Sequence, residues 1–415
     1  MNLKRCIAVL SVLPLCGLLA FTDVQAIDRR KDQFTNVESH LVVPLPYSLP
    51  GIGKGFFIPF YWANISGSYV DMFGVGLVGD AEGVIAGIED VHLISRTLIV
   101  DTFYQYIDSL LYTIYSGRGM KTDPDDYSNI SLTKVLSTGY TARLSFFDRR
   151  LEMFHAASQQ TVEADRLLDP KGNLIADFNP KYKESGYWSV DGFQLDYTDD
   201  YASPIKGVRF SMGYSDFPSD NPDNPNFYVV DAYLNFYIPV GNYSSLVLAN
   251  FRSDAFVRRK GLTDLATIKA NDGIDCLGDP VCLALEDAQA RNVQAANSNG
   301  TATDLGGENR LRGYPNGRFK GAHSAVFSLE LRLNFAEEFT PFDFFIWKDV
   351  RTGVQFAVFY DVGTVSEKER DLWKDTSSVY GFGMRMIGGS GLVYRAELAI
   401  TEEGSAPLIT VGYPF

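Results

Sequence analysis

Arg310 and Arg312, in the run Asn309-Arg310-Leu311-Arg312-Gly313-Tyr314, stand near the end of a long connection over 258–321. A guanidinium offers a planar fork that can bind a carboxylate through two parallel hydrogen bonds. On a loop it reads either as a solvated arginine or as half of an ion pair, and the run alone leaves both open. Other reactive residue types are thinly spread. Cys276 and Cys282 frame Cys-Leu-Gly-Asp-Pro-Val-Cys, which in an oxidising compartment is most simply a loop-stapling disulfide. His40, His92, His155 and His323 show no ligand spacing around that pair, so neither a metal nor a cofactor is expected. His155 and Ser158 are neighbours, expected at a loop boundary, but nothing assembles a Ser-His-Asp set with them. Gly74-Val75-Gly76-Leu77-Val78-Gly79 has the spacing of a dinucleotide loop without the helix that should follow. Close strand packing explains those glycines better, and no enzyme activity is expected.

The elements that position these residues have a period of two. Ala325, Phe327, Leu329, Leu331 and Leu333 alternate with Ser324, Ser328, Glu330, Arg332 and Asn334. Val354, Phe356, Val358 and Tyr360 alternate with Gln355, Ala357, Phe359 and Asp361. In 392–401 the apolar face opposes Arg395 and Glu397, and at the end Ile409, Val411, Tyr413 and Phe415 share one face. Paired charges on the polar faces and alternately short and long connections favour a barrel over a soluble sandwich. The spans expected first are 56–66, 69–79, 82–92, 96–106, 110–118, 130–146, 150–158 and 187–198. They are followed by 204–214, 226–240, 244–257, 322–335, 350–365, 379–387, 391–401 and 406–415. The fold class is therefore all-β, a transmembrane antiparallel β-barrel of about sixteen strands, closed so that no sheet edge is left. Long connections 159–186 and 258–321 are expected outside the cell, and Gly241-Asn242-Tyr243 and Gly388–Gly391 in the periplasm. The connection 336–349 is a longer periplasmic exception.

Lys4 and Arg5, the apolar run from Ile7 to Phe21 and the small Ala26 read as a cleaved signal peptide over 1–26. Residues 27–55, with Pro44, Pro46, Pro50, Gly51, Gly53 and Gly55, are expected to be irregular, a plug-like tail or a leader into the barrel over 56–415. No later stretch approaches the ~20 apolar residues of a membrane helix. The 29 Phe, 23 Tyr and 37 Gly fit strands that are apolar on one side only. A formal charge of −14 argues against nucleic acid as a partner. Its acidic clusters, Asp123, Asp125 and Asp126 or Asp216, Asp220 and Asp223, suit solvated loops and could bridge calcium or lipopolysaccharide-linked cations.

At Leu311-Arg312-Gly313-Tyr314 the sequence resembles the BamA/TamA-like bacterial surface antigen superfamily, which carries a [V/I/L]-R-G-[F/Y] motif between strands eleven and twelve. Phe359-Tyr360-Asp361-Val362-Gly363 resembles the family's F-x-D-x-G on strand thirteen, and Phe415 its terminal aromatic. The resemblance implies that Arg312 locks the long loop into the lumen on Asp361, with Glu330 as a second partner. Gly313 then permits the turn and Tyr314 packs on the inner wall. It also implies that Phe415 closes the last strand as an assembly signal, and that Gly412 and Pro414, around Tyr413, weaken a seam that opens to lipid. The expected task is insertion or translocation of polypeptides at the outer membrane, with lipid and lipopolysaccharide around the barrel. The family's periplasmic POTRA domains do not fit into 27–55, so capture of client proteins is expected to fall to a separate periplasmic partner. The alternatives are a passive pore or structural surface barrel and, far behind, a lipid-acting enzyme.

Overall fold

The computed structural model describes residues 33–34, 36–42, 44–241, 243–272, 280–335, 342–344, 347–350, 352–388 and 393–415. The expected signal peptide and Cys276 lie outside them, as does the Cys282 side chain, so the disulfide reading does too. The strands are β1 Ser39–Val42, β2 Leu45–Leu49, β3 Gly53–Ala63, β4 Asp71–Gly79, β5 Ala81–Ile94, β6 Leu98–Tyr115 and β7 Tyr127–Phe146. They continue as β8 Leu151–Leu168, β9 Leu174–Thr198, β10 Gly207–Phe217, β11 Asn226–Val240, β12 Ser244–Arg259 and β13 His323–Asn334. The last are β14 Phe342–Phe344, β15 Trp347–Val350, β16 Thr352–Ser366, β17 Ser377–Gly388, β18 Val393–Thr401 and β19 Gly404–Val411.

Each strand pairs antiparallel with the next around a ring. β13 pairs with β16, leaving β14 and β15 as a side hairpin, and β19 returns to β2. With β1 and β2 sharing the first position, the ring is a closed barrel of sixteen strands, as the alternation predicts. The count agrees through two compensating differences. Residues expected to be irregular form β1 and β2, because Pro44 and Pro46 break the pattern without preventing pairing with β3. The spans 96–106 and 110–118 are one strand, β6, whose apolar alternation slips where its pairing with β5 and β7 skips residues near 108 and 109. The connection 159–186 is also no loop: β8 and β9 run through it as a tall hairpin. Most of its residues over 174–187 are exposed on both faces, so no apolar periodicity marks them.

Connections 95–97, 147–150 and 199–206 lie at one end of the barrel, the turn end. The long ones, 116–126, 260–322 and 367–376, lie at the other, the loop end. The longest of these carries two helices, α1 Leu265–Asp272 and α2 Pro280–Asn299, before it turns back into the lumen. Outward side chains are apolar and exposed, as with Tyr380, Phe382, Met384 and Met386 of β17, while the intervening Arg385 is buried. Gly74–Gly79 belongs to β4, where a Cβ on Gly79 would meet the backbone of Gly55 across the ladder. No described helix is long and apolar enough to cross a membrane.

Candidate functional site

The barrel core is a charged one. Arg312 is fully buried in the lumen. Its Nε and Nη2 donate to the two Asp361 oxygens of β16, each at 2.8 Å, and its Nη1 donates to Glu330 Oε2 of β13 at 2.6 Å. Its backbone N–H adds a contact to Asp361 at 3.3 Å, and the guanidinium lies 3.6 Å above the Phe359 ring. β13 and β16 are neighbours whose alternation aims Glu330, Phe359 and Asp361 at the same point. The sequence-derived residues are thus brought together.

Three further arginines share those carboxylates. Arg385 of β17 donates to both Glu330 oxygens at 2.7 and 2.8 Å and to Glu397 Oε1 of β18 at 2.5 Å. Arg332 donates to Glu330 at 2.7 Å, and Arg395 to Glu397 at 3.4 Å and to the loop residue Asn309 at 2.8 Å. Four guanidiniums thus gather around three carboxylates, and Glu308 adds a further negative charge that acts on Arg395. Sequence reasoning put Arg332, Arg395 and Glu397 on polar faces but gave them no partners, and it passed over Arg385. The signal was the register: strands that pair place same-face charges side by side.

The loop hairpin around Arg312 is built to reach this depth. Leu305 and Phe319 pair as an isolated bridge, and Gly306 with Arg310 as another. Gly313 has φ +90°, and a Cβ there would collide with the Cβ of Ala399 on β18. Tyr314, 1% exposed, packs edge-on to Phe319 at 5.0 Å and joins Leu305, Leu311, Phe359 and Ala399 in an apolar cluster. Thr303 donates to Asp231 of β11 at 2.9 Å. The hairpin's tip touches both rims of the β19–β2 junction. Asn316 N–H donates to Pro50 O at 3.2 Å, beyond β2, and Arg318 Nε donates to Glu403 at 3.0 Å, before β19.

That junction is the thinnest in the ring. β19 and β2 share one opposed pair, Ile409 with Ser48, against eight between β18 and β19. Pro46 and Pro407 lie in the two strands and cannot donate to a ladder. Toward the turn end β19 has stopped, and the Tyr394 hydroxyl of β18 donates across the gap to Pro46 O at 3.2 Å. Farther down, β1 pairs not with β19 but with β15, at His40 and Lys348.

The end of the chain departs from expectation. Alternation puts Tyr413 and Phe415 on the outer face of the last strand, yet β19 ends at Val411. Gly412, at φ +92°, donates to Val393 O and turns the chain inward. Tyr413 then lies 4.2 Å from the Arg332 guanidinium, and Phe415 lies 5.5 Å from Arg332 and 5.6 Å from Arg312. Gly412 and Pro414 therefore sit beyond the paired part of the seam, and the aromatic faces meet the lumenal arginines. Cation–π contacts of this kind contribute about 0.5–2 kcal/mol. Tyr413→Ala is expected to lower the unfolding free energy by that order and the urea midpoint with it; an unchanged midpoint would show that the ring carries no stability.

Other sequence candidates fall apart in space. His155 and Ser158 face opposite sides of the uninterrupted strand β8, and His155 pairs with Asp191 at 2.8 Å. Asp216 is held by Arg258 at 2.6 Å, and the Asp123 carboxylate accepts the Asp125 N–H at 2.9 Å. Among the described residues no three metal-ligating side chains gather.

No protein-family model matches this sequence, and no similar chain is found among curated proteins. Solved structures do resemble it, including the following two. One is BamA from Haemophilus ducreyi lacking POTRA domains 1–3, with 11% identity over 91% of this chain and 74% of that one and a TM-score of 0.47. The other is CdiB from Escherichia coli, with 13% identity over 92% of this chain and 67% of that one and a TM-score of 0.48.

Proposed function

We propose that this chain is an outer-membrane barrel that inserts or translocates polypeptides through the β19–β2 seam. The single opposed pair at that seam carries the reading. Strand edges that are not paired present N–H and C=O groups, and an incoming extended segment can take them up by strand addition. The outward apolar side chains would face outer-membrane lipid and lipopolysaccharide. Clients would arrive at the turn end, delivered by a separate periplasmic partner. The sequence resemblance to the BamA/TamA-like superfamily points the same way.

A passive pore is less favoured, since Arg312, Tyr314, Tyr413 and the loop around them fill the lumen. The seam reading is tested by crosslinking. Ser48→Cys with Ile409→Cys places two thiols on directly opposed residues, where a disulfide can form. In proteoliposomes the oxidised protein is expected to lose insertion of an unfolded outer-membrane client, and reduction should restore it. Equal insertion by both forms would rule out the seam as the route. Insertion by neither, nor by the unsubstituted barrel, would leave the passive reading.

A further inference from the structure

The turn end holds a second cluster that the seam does not use. Phe34, just before β1, is 5% exposed. Its ring has the Arg149 guanidinium at 5.0 Å and that of Arg96 at 5.5 Å. His92 meets it edge-on at 5.4 Å and Tyr69 at 6.3 Å, and these two stack on each other at 4.4 Å. The segment around it crosses the opening. At one side Asn64 Nδ2 donates to Val37 O and Trp62 Nε1 to Glu38, each at 2.9 Å. At the other, Tyr201 N–H donates to Gln33 Oε1 at 2.7 Å.

The cage is held in costly shapes. Arg96 and Arg149 both have left-handed backbones, as do Phe147 and Asp148 beside Arg149. Side chains disfavour that region, and where it persists the surroundings must enforce it. Behind the ring, Arg149 stacks on Tyr201 at 4.8 Å, and Tyr201 donates to Glu152 at 3.1 Å. In the same layer Arg149 Nε and Glu152 Oε1 face each other as an ion pair at 3.6 Å, and Ser145 Oγ is buried with no hydrogen-bond partner among the described residues. Cationic faces around a ring suit an aromatic side chain.

We propose that this mouth is a binding socket for an aromatic residue carried on an extended polypeptide, occupied here by the chain's own Phe34 as a displaceable plug. The identity of the incoming polypeptide as a client or partner segment rests on the function proposed above; the socket and its plug rest on the contacts alone. Residues 33–34 and 36–38 lie outside the barrel ladder, so their release breaks no strand pairing before β1.

The test uses Ser145→Cys, a near-isosteric buried probe opposite Glu152 in the β7–β8 register, in the full chain with its other cysteines replaced by serine. A charged maleimide is added from the turn side of the reconstituted barrel. Phe34→Ala should raise the labelling rate by roughly tenfold or more, since labelling reads the population of the open mouth. Phe34→Tyr should stay near the unsubstituted rate, and Phe34→Leu, apolar but without a π face, should follow Phe34→Ala. The hexapeptide Gln-Phe-Thr-Asn-Val-Glu should restore protection to the Phe34→Ala barrel, whereas the same peptide with alanine for phenylalanine should not. It must be supplied at concentrations on the order of millimolar, comparable to those a tether provides. Equal labelling with and without the Phe34 ring would overturn the plug. Protection by leucine, or none by the peptide, would overturn the aromatic socket. No client is present in this assay, so its outcome is independent of whether the barrel inserts clients.

Discussion

Arg312→Ala is expected to destabilise the barrel by roughly 3–5 kcal/mol, the usual cost of removing one member of a buried ionic network. The loss arises mainly from what stays behind. Asp361 and Glu330 have no solvent exposure in the folded chain, and the Arg312 side chain supplies two contacts to Asp361 and one to Glu330, leaving Asp361 only the 3.3 Å contact from the backbone N–H. Glu330 retains Arg332 and Arg385, so the stranded charge is chiefly that of Asp361. Water entering the vacated volume would bring the figure toward the lower end. Arg312→Lys should recover little, because one ammonium cannot present a fork to Asp361 while reaching Glu330. The double variant Arg312→Ala with Asp361→Ala should cost clearly less than the two single losses added, since it removes the unpaired carboxylate. The urea midpoint of the folded, heat-modifiable form measures all three. A midpoint unchanged in Arg312→Ala would mean that this network does not hold the loop.

Gly313→Ala should be the most damaging addition of a single methyl group. Two separate costs meet there. A left-handed backbone is unfavourable for alanine by roughly 1–2 kcal/mol. The new Cβ also runs into the Ala399 Cβ in a packed cluster, and overpacking of that kind costs about 1–3 kcal/mol. Ala399→Gly in the same chain would relieve the second cost and leave the first, so partial rescue is the expected result. Complete rescue would show that the backbone cost is absent. No rescue would show that contact with Ala399 is not the obstacle.

How much of this was legible in the sequence depended on which faces each strand presents. β13, β16 and β18 have one lipid-like and one lumenal face, so alternation assigned Glu330, Asp361, Arg395 and Glu397 inward correctly. The first part of β9, over 174–187, is mostly exposed on both faces, and a pattern built on burial is silent there. β1 and β2 were missed because they are four and five residues long, with Pro44 between them, Pro46 inside β2 and Pro50 just beyond it. They are strands through pairing with β3, which is tertiary information. The tail was misplaced for a different reason. Period two extends a strand until something stops it, and Gly412 was read as weakness within the seam, although it is the point where the chain leaves the sheet. The socket around Phe34 was invisible because its arginines come from two separate turns that only barrel closure brings together.

The hairpin tip that rests on Pro50 and Glu403 couples two events that lie far apart along the chain. A loop that binds both rims favours the state in which the rims are close, and the coupling free energy acts equally in both directions. An antibody that seizes the loop in its withdrawn position therefore biases the barrel toward parted rims. A strand wedged between the rims raises the loop's exposure to protease by the same factor. The loop end of the barrel thus reports, in thermodynamic proportion, on what occupies its wall.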